Sequence, residues 1–323
     1  MRIDVDPNFI ETTRLKASLT RAPVDLDVPL FVEGVPASNV TAIAEYWAHK
    51  YDWFSVQDSI NRQFRHFTTT TSRLRDTNFT EAVPLHFVHH RSKRPDAIPL
   101  LFIHGWPGSF LEVGPILSGL LDPPSRREPA FHVVAPSIPG FGFSPAPTKP
   151  GFGLLEAGAA FHQLMQQLGY QQYVIQGGDF GSHTARYMGA AYPESVKSVL
   201  YYGGGELLYR VLQQSEPFTK AFWGIEAMVP LQMGILLGDS PVGNAIWPYF
   251  GMRGLTPGYE WSTEELITWG MMLYIQGPYS SVRIYRELQR EGTLDYAFPY
   301  VPVPVGVLQY FGDAGYGVPR DCP

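Results

Sequence analysis

The stretch VIQGGDFGSH, residues 174–183, sets one carboxylate, Asp179, in a Gly-x-Asp-x-Gly pattern after a β-rich run and before a helical one. Two readings fit that spacing. Aspartate among glycines is a common turn residue, because its short polar side chain hydrogen-bonds its own backbone. Alternatively, the glycines permit a sharp strand-to-helix turn that lifts one side chain above a sheet as a nucleophile. The next backbone N–H, that of Phe180, would then face a developing oxyanion. A second loop, HGWPGS from His104 to Ser109, follows the apolar run PLLFI. Such a loop supplies another backbone donor, expected here from Trp106. One βαβ passage separates the two loops, and their order makes the pair more specific than either member. A carboxylate with an ordinary pKa near 3.9 is already ionised at neutral pH. It can attack an activated sp³ carbon directly and leave an alkyl ester on the protein, whereas peptidase or lipase chemistry would call for serine. Epoxide opening and dehalogenation are the two reactions left.

Those loops need a sheet to hold them. Compact apolar runs, IPLLFIHGWPG, FHVVAPSIPGFG, QYVIQGGDFG and VKSVLYYGGG, alternate with helical patterns at 153–168 and 182–191. This rhythm predicts an α/β domain with a parallel sheet and ligand loops at the carboxyl ends of its strands. Residues 1–95 read as an irregular N-terminal extension, with a short amphipathic helix carrying Val40, Ile43, Ala44, Trp47 and Tyr51. Within it, FTTTTSRLRDTNF reads as polar loop and VPLHFVHH as an edge strand. Residues 96–205 form the expected core, 206–290 a helical insertion over the sheet rich in Met, Trp, Tyr and Leu, and 291–323 an incomplete C-terminal part of the core. Strand character returns at 301–313.

Composition narrows the class. The 323 residues carry 30 acidic and 24 basic side chains, so a broad nucleic-acid surface is not expected. A lone cysteine, Cys322, gives no internal disulfide, and the charged N-terminus does not read as a signal peptide. Apolar stretches such as 228–237 are about half of what a bilayer span needs. The expectation is therefore a cytoplasmic protein without a membrane span. No metal cluster or nucleotide loop is seen, and neither a metal nor another cofactor is expected. A homodimer is left open.

The motifs FIHGWPGS, SIPGFGFS, GGDFGS, DSPVG and RIYRE, with LHFVHHRS ahead of them, resemble the epoxide hydrolases of the microsomal type. These are α/β hydrolases with an N-terminal meander and a helical lid, and the resemblance runs over nearly the whole chain. It implies a small-molecule epoxide as substrate, opened by Asp179 through an ester to a vicinal diol, and a role in detoxification. It further implies that Tyr285, in RIYRE, donates a hydrogen bond to the epoxide oxygen. Asp313, in VGVLQYFGD, matches the acid that orients a histidine base. His104, Phe222 and Trp223 are candidate binding side chains.

Two departures qualify the resemblance. The family's second lid tyrosine aligns with Phe222, which cannot donate a hydrogen bond, so activation would rest on Tyr285 unless another tyrosine such as Tyr209 serves. The family's base follows the acid in a Gly-Gly-His-Phe segment, but the ninth and last histidine here is His183. The last strand, the last helix and the base are expected to be missing, which would impair hydrolysis of the ester. A non-catalytic ligand- or partner-binding relative, an incomplete gene model and a haloalkane dehalogenase-like enzyme are the alternatives.

Overall fold

The computed structural model describes residues 1–72, 74, 77–202, 229–256, 258–293 and 299–308. Three helices come first: α1 (Pro7–Ser18), α2 (Ala37–His49) and α3 (Trp53–Gln63). Asp6 and Asp52 cap α1 and α3 by accepting backbone N–H groups of the first turn. On α2 the buried positions are Val40, Ile43, Ala44, Trp47 and Ala48, the inward stripe of a 3.6-residue repeat.

Seven strands form one sheet: β1 (His66–Thr70), β2 (Pro84–His90), β3 (Ile98–Ile103), β4 (Phe131–Pro136), β5 (Tyr173–Gly178), β6 (Val196–Tyr202) and β7 (Val305–Leu308). Their spatial order is β1-β2-β4-β3-β5-β6-β7. The pairs β4–β3, β3–β5, β5–β6 and β6–β7 are parallel, while β1–β2 and β2–β4 are antiparallel. Helix α4 (Leu117–Leu121) lies between β3 and β4, and helices α5 (Leu154–Gln167) and α6 (Phe180–Ala191) make the crossovers around β5.

Four expectations are corrected here. The N-terminal region is not an irregular leader, since it supplies three helices and two strands of the main sheet. VPLHFVHH does not lie at the edge; β2 is an inner strand, paired on both sides. The edge strand is β1, inside the segment expected to be loop, and its outward threonines suit a half-solvated position. The sheet is accordingly mixed rather than wholly parallel.

Both faces of the sheet are covered. One core packs α5 and α6 with Leu101, Ile103 and Ile175, and it also receives Ile284, Tyr285 and Leu288 from the lid helix Ile284–Glu291. The opposite core joins Trp47, Trp53 and Ile60 to Leu100, Phe102 and Val133, and to the lid helices Pro241–Leu255 and Thr263–Tyr274. Each aliphatic side chain taken fully out of water contributes about 1.5–3 kcal/mol. The N-terminal helices and the lid therefore hold each other over the strand ends.

Candidate active site

Strand β5 ends at Gly178, α6 begins at Phe180, and Asp179 occupies the corner with φ 50° and ψ −119°. That is a left-handed backbone for a residue with a side chain, and it costs about 1–3 kcal/mol. The surrounding packing makes the turn this tight. A Cβ on Gly177 would overlap the Gly181 carbonyl, and a Cβ on Gly181 would overlap the Ile103 carbonyl. Gly178 lies under the Tyr202 ring. The glycines are thus required by close approach of backbone, and the side chain they leave raised is Asp179.

Two backbone donors meet that side chain. Trp106 N–H donates to Asp179 Oδ1 at 2.9 Å, and Phe180 N–H donates to the same oxygen at 2.7 Å. One carboxylate oxygen, Oδ1, is thus fixed by both backbone donors. Burial pushes the Asp179 carboxyl up to about 6, while the two amides pull it back down. Asp179 is therefore mostly ionised at pH 7.

The other expected residues fall as follows. Tyr285 is 2% exposed, with its ring 5.1 Å from that of Phe180 and 5.9 Å from that of Trp106. It stands against both donor residues. His104 does not line the site. It is fully buried, its Nδ1 donates to the Gly105 carbonyl at 2.9 Å, and its Nε2 accepts from Ile138 N–H at 3.0 Å. Burial lowers its imidazole to about 4, so it is neutral and fastens the Trp106 loop to the end of β4. His183 sits one turn into α6, buried, and burial and then nearby Arg186 lower it to about 3. Phe222, Trp223, Tyr209 and Asp313 lie outside the described residues.

A cavity of roughly 1110 Å³ opens beside Asp179. It is lined by the Gly105–Gly108 loop and Asp179, by Leu100, Val174 and Leu200 of the sheet, and by Met252, Tyr259, Trp261 and Trp269 of the lid. Neither lysine nor arginine lines it among the described residues, which suits an uncharged, largely apolar ligand. Among the described residues no cluster of three or more His, Cys, Asp or Glu could hold a metal ion. No helix among them is long and apolar enough to cross a membrane.

One lining residue is absent from the sequence-based list. Glu112 is half-buried, and burial raises its carboxyl to about 8, with the Asp179 charge raising it further. Tyr202 Oη donates to its Oε2 at 3.2 Å, and the amides of Gly105 and Ser109 oppose the rise. Its one sequence signal was Ser-x-x-Glu at 109–112, which reads as an ordinary helix-capping pair.

The family described as epoxide hydrolase N terminus matches residues 1–113, and the alpha/beta hydrolase fold family matches residues 98–218. Epoxide hydrolase 1 of Sus scrofa is 31% identical over 341 residues, covering 91% of this chain and 73% of that protein. Epoxide hydrolase 1 of Oryctolagus cuniculus is 30% identical over 356 residues, covering 96% of this chain and 77% of the relative. The crystal structure of juvenile hormone epoxide hydrolase from the silkworm Bombyx mori superposes with a TM-score of 0.82 at 27% identity, covering 99% of this chain and 82% of that one. With a raised aspartate between two backbone donors, and relatives matched along most of their length, this chain belongs to the epoxide hydrolases of the α/β-hydrolase fold.

Proposed function

We propose that Asp179 opens an apolar epoxide through a covalent aspartyl ester. Oδ2 attacks a ring carbon, the C–O bond on that carbon breaks, and the ring oxygen leaves as an alkoxide that takes a proton. Tyr285 donates a hydrogen bond to that oxygen; a phenol with an ordinary pKa near 10 keeps its proton for this purpose. Water then attacks Cγ of the ester, and the charge developing on Oδ1 falls on the Trp106 and Phe180 N–H groups. The observation that carries the reading is the pair of amides on one oxygen of Asp179.

A histidine is the most common base for a step such as ester hydrolysis, and the 323 residues contain none beyond His183. His183 donates its backbone N–H to the Asp179 carbonyl, and its ring is buried in α6. The 323-residue chain is therefore expected to form the ester faster than it releases diol. Incubation with styrene oxide followed by intact-mass and peptide mass spectrometry tests this. The expected result is one adduct per chain, mapped to Asp179. An unmodified Asp179 throughout would refute the nucleophile assignment, and rapid multiple turnover without adduct build-up would refute slow hydrolysis.

A further inference from the structure

One loop of this site meets two carboxyl groups through neighbouring amides. The Trp106 N–H binds Asp179, and the neighbouring Gly105 N–H faces Glu112. A Cβ on Gly105 would lie 2.9 Å from Asp179 Oδ1, and a Cβ on Gly108 would overlap the Glu112 carboxyl. Glu112 thus fills the space that a side chain at position 108 would occupy, and both acids line the same cavity. The groups facing Glu112 are Asp179 from the elbow, the Tyr202 hydroxyl from β6 and the amides of its own loop. Capping of the 3-10 helix Phe110–Ile116 accounts for the Ser109 contact alone. It does not account for the Tyr202 hydrogen bond or for the Gly105 amide.

We infer that Glu112 is a further catalytic residue, the proton carrier for hydrolysis of the Asp179 ester. This rests on the nucleophile reading above. In the resting protein burial, reinforced by the Asp179 charge, keeps Glu112 protonated near neutrality. Alkylation turns Asp179 into a neutral ester and removes that like charge. Glu112 then gives its proton to the alkoxide from the opened ring, which is far more basic than a carboxylate. The resulting carboxylate takes a proton from the water that attacks Cγ. A tetrahedral intermediate forms with its charge on Oδ1, then expels the alkyl oxygen as the ester C–O bond breaks. That oxygen takes the proton of the new Asp179 carboxylic acid. Diol leaves, and Asp179 is again ionised and Glu112 again protonated. Epoxide and water are consumed, and no other reactant is needed.

The test separates the two halves of the reaction. Styrene oxide is mixed with the parent chain, Glu112→Gln and Tyr202→Phe, with adduct followed by intact mass and diol release by chromatography between pH 5 and 9. Melting curves confirm that each variant is folded. In Glu112→Gln the alkoxide draws its proton from water, so the Asp179 adduct still forms, but diol release falls at least tenfold. The rise of release with pH, centred below about 8 in the parent, disappears. Tyr202→Phe keeps the carboxyl but removes a hydrogen bond that lowers it, so the same rise moves to higher pH. Release from Glu112→Gln at the parent rate with the parent pH profile would overturn the assignment while leaving Asp179 as nucleophile. A Tyr202→Phe profile identical to the parent's would also overturn it. An adduct missing from all three proteins would overturn the nucleophile reading and this one with it.

Discussion

At the scale of single residues, the site divides by how much of its geometry is local. Asp179, Phe180 and Trp106 could be read from the sequence because a strand-end turn needs small residues at fixed offsets, and Gly177, Gly178 and Gly181 show where backbone crowds backbone. Glu112 could not, because its neighbours Asp179 and Tyr202 are 67 and 90 residues away in sequence and only the sheet order joins them. His104 was misplaced for a related reason: a histidine opening a strand-end loop gives no sign that both ring nitrogens are already used by backbone. The nucleophile assignment makes a sharp prediction. Asparagine tolerates positive φ about as well as aspartate, so Asp179→Asn is expected to fold with a melting temperature close to the parent's. It loses the attacking oxygen, and adduct formation should fall by at least about 10³-fold. Mass spectrometry and a melting curve on the same sample check both parts, and a variant that still alkylates at position 179 at the parent rate contradicts the assignment.

At the scale of elements, the strands rich in β-branched and aromatic residues and the crossover helices were legible from their periodicity, but β1 was not, and β2 was legible as a strand but not as an inner one. The polar threonines of β1 hide an edge strand, and the alternation in β2 mimics one although its side chains are buried on both faces. The lid helix Ile284–Glu291, which carries Tyr285, shows a coupling that pattern alone gives no access to. Its last residue, Glu291, meets Glu156 from the first turn of α5, and Gly153 has no room for a Cβ because the Glu291 carboxyl fills it. Burial, and then Glu156, raises the Glu291 carboxyl to about 8. The folded protein therefore holds a proton that the unfolded chain releases above about 4.5. Stability from this pair is complete below that pH and is lost as pH rises toward 8. Urea midpoints measured across this range are expected to fall with rising pH for the parent and to fall less for Glu291→Gln. Identical slopes in the two proteins would show that the pair does not share a proton.

At the scale of the whole molecule, the N-terminal helices and the lid are joined through one core although more than 150 residues separate them in sequence. Helical periodicity announces that each has a buried face but not which face it meets, so this arrangement was beyond sequence reading. Where the N-terminal region meets the sheet, the same packing traps two histidines. His66 Nδ1 and His86 Nε2 are 3.0 Å apart, and His86 Nδ1 bonds Ser137 Oγ at 2.9 Å. Burial lowers His66 to about 4 and His86 to about 3, each lowered slightly more by neighbouring positive charge. Both are neutral in the folded protein, whereas in the unfolded chain they take up protons as pH falls below about 6.5. The stability they leave intact above that pH is lost progressively as pH falls toward 3–4. This window lies on the acid side of the Glu291 window's upper end, so the two effects bound a stability maximum from opposite sides. Because β1 and β2 tie the N-terminal helices to the sheet, and those helices support the lid, acid should loosen the roof of the cavity together with the fold. The expected result is a parent melting temperature lower at pH 5 than at pH 7, with a smaller drop in His86→Gln, which cannot take up a proton. Equal drops in the two proteins would place the acid sensitivity elsewhere in the chain.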